Sequence, residues 1–431
     1  MSGRKIEPTL SCEETYLNYT GWHRLTKRRK IYFYFFLLGW PTALVLGTLG
    51  WPTVLSSIER DRFSVWGINQ DLIKETVSQS IAENRYPKRV VVHRNGKEYT
   101  STVHYTIDKK LQEKVESVFE KWQPDYGVFV AIEPDSGRVL AMANHRRNRG
   151  VSRNLALGNT YPSASIFKLI TAAAAIDLGK IDAETIIPFN GKASSLYRKN
   201  VLHHKNNKWT QHFPIKTAFA KSVNTVFGRL GLMHVGGQQL SEYASKFGFN
   251  RKLSGDFYFP ESRADFNPED EWRVVEAAAG YTNNNTISPV HAAMLAASVI
   301  NGGRMLPPFL VDSITNDNGI ILYESNPAST FPIIKSKTVN QLQILMRETV
   351  LKGSAQKSFN GFSKKQYKNV EVGGKTGSLS GLKPEGKYDW FIGYAQAGSQ
   401  KLAFAALCIN KDYWYVKSSQ VARIAVEHYF K

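Results

Sequence analysis

The sequence predicts an α+β fold, preceded by a single membrane-crossing helix. An uncharged apolar run, Ile31 to Leu55, stands near the N-terminus. Beyond it, strand-like hairpin patterns open and close the chain and helical periodicity fills the middle. Strands at both ends of a largely helical region imply an antiparallel sheet assembled from distant segments. With 431 residues, 42% of them hydrophobic, the chain can bury one large core or two medium ones, which excludes a disordered polymer.

Taken in order, residues 1–30 form a basic tail ending in HRLTKRRK, with Lys27, Arg28, Arg29 and Lys30. The run at 31–55 is long enough to cross a hydrocarbon core of about 30 Å. Its Pro41 and Pro52 are tolerated in membrane helices, and Trp40 and Trp51 suit interfacial ends in part. By the positive-inside rule the tail stays in the cytoplasm and everything after residue 56 is exported, so the chain is a single-pass protein of the cytoplasmic membrane. A cleaved signal peptide is the competing reading. The run exceeds the usual signal length, however, no A-x-A-like site follows it, and no lipid-attachment cysteine lies behind it.

Residues 56–105 are expected to form a short pedestal, in which RVVVHRNGKEYTSTVHYTI reads as two strands around Asn95-Gly96. The main domain is expected at 106–431. Asp108 is placed to cap a helix carrying Leu111, Val115, Val118, Phe119 and Trp122 at helical spacing, a core-packing stripe. YGVFVAIEPDSGRVLAMAN then gives two apolar runs around Asp135-Ser136-Gly137, a hairpin. WFIGYAQAG and KLAFAALCIN flank a turn near Gly398-Ser399-Gln400, and SSQVARIAVEHYF closes the chain as a helix.

Composition narrows the partners. The 56 basic and 36 acidic residues give a net charge of +20, which calls for a polyanionic neighbour: nucleic acid, an anionic membrane face or a charged cell wall. Export argues against nucleic acid. Cys12 and Cys408 make neither a zinc cluster nor a disulfide framework, and Cys408, inside an apolar run, reads as a buried thiol. No H-E-x-x-H and no phosphate-binding glycine loop occurs, so no metal and no cofactor is expected.

Three short patterns carry chemistry. In YPSASIFKLITAAAAID, Ser165 and Lys168 stand three apart, so on a helix they share a face and the amine can reach the hydroxyl. A serine hydroxyl needs such a base, and partial burial lowers a lysine's pKa enough to supply one. Ile166, Leu169, Ile170, Ala173 and Ile176 form the apolar side, and the position near a helix N-terminus favours developing negative charge. The same S-x-x-K spacing recurs at Ser2, Ser354 and Ser380, so it decides nothing alone. AKSVNTVFGRL places Ser222 and Asn224 at a turn entering a helix, where an N-cap serine is the plainer reading. VEVGGKTGSLS holds the chain's one K-T-G, Lys375-Thr376-Gly377, with glycines that suit a strand closely approached by a ligand.

In the order S-x-x-K, S-x-N, K-T-G, the chain from Thr106 to the end resembles the serine acyl-transferases that comprise penicillin-binding proteins and β-lactamases. TIDKKLQEKV, VFVAIEPDSGRVLAMAN, TISPVHAAMLAASVINGG and DWFIGYA strengthen the resemblance. Ser378 stands where threonine is commoner, and so does Ser354 after Gly353. The resemblance implies a five-stranded antiparallel sheet flanked by helices, plus an all-helical subdomain. It also implies a Ser165 nucleophile that attacks the D-Ala-D-Ala bond of peptidoglycan stem peptides, with Lys168 as base. Ser222, held by Lys375 and Lys168, would relay the proton, and Asn224 would bind the substrate amide. Backbone N–H groups of Ser165 and Ser378 would form the oxyanion hole, and Thr376 and Ser378 would hold the terminal carboxylate beside Gly377.

The expected activity is a D,D-transpeptidase of shortened class B type, with β-lactams as covalent inhibitors, an amine acceptor and a separate glycosyltransferase partner. A D,D-carboxypeptidase, a β-lactamase and a non-catalytic sensor or divisome scaffold are the alternatives. No E-x-x-L-N loop follows Asn224, which disfavours rapid deacylation by water. His203, His204 and His212 cluster without a G-x-S-x-G, so they read as surface or groove residues, not as a Ser-His-Asp triad.

Overall fold

Two antiparallel sheets organise the chain, each joining segments distant in sequence. The computed structural model describes residues 68–431 apart from 95, 148, 149, 151, 254 and 327–329. The expected tail and membrane anchor lie outside the described residues. Among the described residues, no helix is long and apolar enough to cross a membrane.

The main elements run α1 (Gln70–Ala82), β1 (Arg89–Arg94), β2 (Lys97–Tyr105), α2 (Lys109–Trp122), β3 (Tyr126–Ile132) and β4 (Val139–Arg146). A helical stretch follows: α3 (Lys168–Asp177), α4 (Ile215–Ala220), α5 (Asn224–Arg229), α6 (Gly237–Lys246), α7 (Glu271–Ala279) and α8 (Pro289–Ser298). Then come β5 (Val311–Asn316), β6 (Ile321–Glu324), α9 (Ser336–Leu351), β7 (Glu371–Leu382), β8 (Glu385–Ala397), β9 (Gln400–Asn410) and α10 (Ser418–Tyr429).

The central sheet has five strands in the order β7-β8-β9-β3-β4, antiparallel throughout. Alternate residues along each strand sort into two cores, as the pleat requires. Val128, Val130 and Ile132 face the helical stretch, while Phe129 and Ala131 face α2 and α10. Both faces are covered, which explains why these strands read as unbroken apolar runs in the sequence. Asp108 caps α2 through the N–H groups of Lys110 and Leu111, and Leu111, Val115 and Phe119 pack beneath the sheet with Val421 and Ala425 of α10. Cys408 is buried on that same face as a free thiol.

The second sheet has the order β1-β2-β5-β6. It runs across the domain boundary expected at residue 105: β2 pairs with β5 from the middle of the chain, and the described residues from 68 onward belong to one compact unit. Thr106 ties the two sheets together, its N–H donating to Leu310 O (2.8 Å) and its hydroxyl to Val139 O (2.7 Å). The sequence carried no sign of this pairing, because β5 is short and β2 lies far away along the chain.

Candidate active site

Ser165 sits at the junction of the helical stretch and the edge strand β7. It lies in a single 3₁₀ turn, Ala164–Phe167, that runs straight into α3, so the nucleophile candidate precedes the α-helix proper. Ala164 adopts a left-handed backbone, φ +47°, a conformation that costs a residue with a Cβ roughly 1–2 kcal/mol. The surroundings enforce it. Gly280, itself at φ +60°, packs so closely that a Cβ there would stand 2.0 Å from Ala164 O. From the other side β7 crosses the turn, and a Cβ on Gly377 would meet Ile166 Cγ2 at 3.2 Å. The indole of Trp390 donates to Pro162 O (2.9 Å) and fixes the approach to the turn.

The Lys168 amine reaches three acceptors. It lies 2.8 Å from Ser165 Oγ and 2.7 Å from Asn224 Oδ1, and it also contacts the Ala279 carbonyl at the C-terminal end of α7. A Schellman ending of α7, with Gly280 N–H bonded to Ala277 O and Tyr281 N–H to Glu276 O, leaves the Ala278 and Ala279 carbonyls for α3. Thr171 donates to the first at 2.9 Å and Lys168 to the second. In the neutral amine, two N–H bonds committed to Asn224 and Ala279 leave the lone pair directed at Ser165 Oγ.

Ser222 owes its place to the same device at the other end of the cleft. Ser222 N–H bonds Phe219 O (3.0 Å) and Val223 N–H bonds Ala218 O (2.8 Å), a Schellman ending of α4 with Ser222 at the left-handed position, φ +57°. Glycine is the usual occupant there. Ser222 is therefore the C-terminal cap of α4 rather than the N-cap of α5, and its hydroxyl accepts from Lys375 Nζ at 2.9 Å. Left-handed non-glycine residues thus adjoin or carry both candidate serines, a concentration typical of functional sites.

Lys168 and Lys375 are completely buried. Desolvation, and then the neighbouring charge of Lys375, pushes the Lys168 amine well below its ordinary value. Desolvation alone brings Lys375 down to about 7. Each amine faces an aromatic ring, Phe227 at 5.8 Å from Lys168 and Phe219 at 5.4 Å from Lys375.

The family model described as penicillin binding protein transpeptidase domain matches residues 127–427. The chain belongs to this family. Among curated relatives, the stage V sporulation protein D of Bacillus subtilis is 24% identical over 336 residues, covering 72% of this chain and 49% of the relative. The peptidoglycan D,D-transpeptidase PbpA of Mycobacterium tuberculosis is 26% identical over 347 residues, covering 72% of this chain and 67% of the relative. The chain thus spans about half the length of the first and two thirds of the second. The crystal structure of PBPA from M. tuberculosis superposes with a TM-score of 0.64 at 21% identity, over 77% of this chain and 83% of that one. Its penicillin G acyl-enzyme complex gives 0.61 at 23% identity, covering 76% and 80%.

In this penicillin-binding transpeptidase domain, Ser165, Lys168 and Asn224 form one hydrogen-bonded group and Ser222 and Lys375 a second; of the two lysines expected to hold Ser222, only Lys375 is hydrogen-bonded to it. Asn224 is already engaged on both sides, since Nδ2 donates to Ser194 O (2.9 Å) while Oδ1 accepts from Lys168. Its first task is to orient the lysine. Gly377 meets the nucleophile turn, and Ser378 is exposed on the strand beyond it. The glycine before Lys375 has a different reason from the one expected: a Cβ on Gly374 would strike the Phe391 ring at 2.4 Å and the Ile392 carbonyl oxygen at 2.8 Å, so packing within the sheet demands it.

Sequence reasoning missed Ser354. Its hydroxyl is hydrogen-bonded to Thr376 Oγ1 at 2.6 Å, and its N–H bonds Ala220 O at 3.0 Å, which joins the end of α9 to the cleft. The signal was present as a second S-x-x-K beside Gly353, whose own Cβ would collide with Ala220 O at 2.5 Å. His203 and His204 lie on a loop and His212 on the short strand Gln211–Pro214 before α4, and among the described residues none is hydrogen-bonded to these site residues.

Proposed function

We propose that the chain is a peptidoglycan D,D-transpeptidase acting from the outer side of the cytoplasmic membrane. Residues 31–55 serve as a single-pass anchor, 1–30 stay in the cytoplasm and 106–431 carry the catalysis. Ser165 Oγ attacks the carbonyl between the two terminal D-alanines of a stem peptide. The Oγ–C bond forms, the C–N bond breaks, and an ester remains on Ser165. The hydroxyl proton passes to neutral Lys168, and the leaving D-alanine amine takes a proton through Ser222. Backbone N–H groups of Ser165 and Ser378 hold the oxyanion, and Thr376 and Ser378 bind the terminal carboxylate. An acceptor amine then attacks the ester, restores the Ser165 hydroxyl and leaves a new cross-link. β-Lactams enter the same path and stop at the ester.

The observation that carries this reading is the Lys168 amine, buried and depressed in pKa, with two of its partners fixed and the third being Ser165 Oγ. A labelled penicillin on membranes tests it: the expected result is one covalent adduct, lost in Ser165→Ala. Absence of an adduct, or its survival in that variant, overturns the catalytic reading. An adduct that clears within seconds makes the protein a β-lactamase. Incubation with defined muropeptides is expected to give cross-linked dimers, whereas trimmed tetrapeptides alone indicate a carboxypeptidase.

A further inference from the structure

Between Glu184 and Glu242 the sequence contains no aspartate or glutamate, yet it holds eight lysines and arginines and four histidines. Of those eight cations, only Lys216 forms an ion pair among the described residues, with Glu184. Most of the stretch is one excursion from a small hairpin, in which Ile186–Phe189 pairs antiparallel with Gln211–Pro214. Lys192, Arg198, Lys199, Lys205, Lys208 and Lys221 are all exposed along it. Side-chain amides give the loop a defined shape: Asn190 donates to Lys205 O (3.0 Å), Asn200 to Asn190 O (3.1 Å) and Gln211 to Gly191 O (3.0 Å).

This basic loop is attached directly to the catalytic cluster. Asn224 N–H bonds Ala193 O (2.8 Å), Asn224 Nδ2 bonds Ser194 O (2.9 Å), and Lys221 immediately precedes Ser222. Two aromatic rings stand in the open among the cations, Trp209 at 73% exposure and Tyr197 at 63%. Unpaired, exposed charge of one sign beside a cleft raises the local concentration of oppositely charged ligands. Flat exposed rings add apolar faces that a sugar ring can cover but a polyol-phosphate chain uses poorly.

We infer that the 190–221 rim is a docking surface for a peptidoglycan strand whose stem peptides carry free carboxylates, and that it favours such strands over amidated ones. The inference rests on the transpeptidase reading for its ligand class. The lysines meet side-chain carboxylates of the stem peptides, while Trp209 and Tyr197 meet the glycan.

The test uses the full-length protein in detergent and sacculi stripped of wall phosphopolymers by hydrofluoric acid. Half of these sacculi are then amidated on their carboxylates with carbodiimide and ammonia. The wild type is expected to sediment with stripped sacculi and to lose at least tenfold in binding as salt rises from about 50 to 300 mM. Amidated sacculi, or the triple variant Lys192→Glu, Lys205→Glu, Lys208→Glu, are expected to show a loss of at least tenfold. Trp209→Ala is expected to weaken binding several-fold with unchanged salt dependence. Penicillin adduct formation by the triple variant stays within twofold of wild type, which reports an intact fold and cleft. Equal binding to amidated sacculi, wild-type binding by the triple variant, or binding only when phosphopolymers remain each overturns the inference. Loss of the penicillin adduct in the wild type itself would instead sink the transpeptidase reading, and the two failures are separately visible.

Discussion

Ser165 and Ser354 both stand three residues ahead of a lysine, and both reach the same cleft. Their lysines have opposite fates. Lys168 is completely buried, held by Asn224 and Ala279, and depressed in pKa. Lys357 is exposed on the surface. Spacing brings an amine near a hydroxyl, but only burial with fixed partners turns the amine into a base at neutral pH. At Ser380 the pattern fails earlier: the residue lies on β7, which ends at Leu382, so Lys383 falls in the turn beyond and no helix brings the two side chains together.

The most severe test of this contrast replaces the two lysines. Lys168→Met and Ser165→Ala are each expected to lower the rate of penicillin acylation by about 10⁴-fold or more, the scale seen when one member of a nucleophile–base unit is removed. Lys357→Met is expected to leave the rate within twofold. Stopped-flow acylation with a chromogenic cephalosporin reads all three. A large loss in Lys357→Met would end the comparison.

A smaller change keeps the lysine and alters its neighbour. Asn224→Asp sets a carboxylate where Oδ1 now lies 2.7 Å from Lys168 Nζ. An opposite charge at that range favours the ammonium and raises the lysine's pKa. Acylation is expected to fall about 10²-fold at pH 7, and the acid limb of its pH profile is expected to move upward by at least one unit. The alkaline limb is set by Lys375, which loses its charge near pH 7 and with it the charged hydrogen bond to Ser222 Oγ. The bell therefore narrows from the acid side only. A reduced rate with an unmoved acid limb would mean that Asn224 serves merely to hold the Ala193–Ser195 segment.

Backbone strain offers a third comparison, between two left-handed glycines that each follow a helix. Gly179 has φ +71° and open space around its Cβ position, whereas Gly280 has φ +60° with Ala164 O at 2.0 Å from that position. Gly179→Ala is expected to cost about 1 kcal/mol of stability and no acylation rate. Gly280→Ala must push the Ser165 turn aside, and a displacement near 1 Å at a reacting group can cost about 10²-fold. A tenfold to hundredfold loss in acylation, with a lowered Tm, is expected. Equal kinetic effects from the two substitutions would show that the turn yields without consequence.

These tests also mark how far the sequence could be read. The hairpins around Gly137 and Gly398, the Asp108 cap and the order of the three motifs are local patterns, and each appears where its periodicity placed it. The five-stranded antiparallel sheet was expected from the apolar runs and the resemblance, and its strand order is visible only in the structure. Ser222 was legible as a residue of the turn entering α5, and only the α4 bonds to Phe219 and Ala218 reveal that it caps the preceding helix instead of serving as the N-cap. The β2–β5 pairing and the Ala279 carbonyl beneath Lys168 join residues more than a hundred positions apart, and periodicity carries no information about such contacts. The Ser354–Thr376 bond spans a shorter step, but it joins the end of α9 to β7 across an intervening loop and leaves no periodic trace either.

Ser354 provides the smallest expected effect and the sharpest limit on its similarity to Ser165. Among the described residues no amine is hydrogen-bonded to its hydroxyl, and its partner is Thr376 Oγ1 at 2.6 Å. Ser354→Ala leaves Thr376 free to rotate and removes one neutral hydrogen bond, worth about 1 kcal/mol or a factor of roughly five. In the transpeptidase reading Thr376 binds the terminal carboxylate, so KM for a D-Ala-D-Ala pentapeptide is expected to rise about three- to tenfold while kcat changes by less than twofold. Ser354→Thr, which keeps the hydroxyl, is expected to restore KM, and the penicillin adduct persists on Ser165 in both variants. Loss of that adduct in Ser354→Ala alone would make Ser354 part of the acylating machinery and remove the distinction between the two serines.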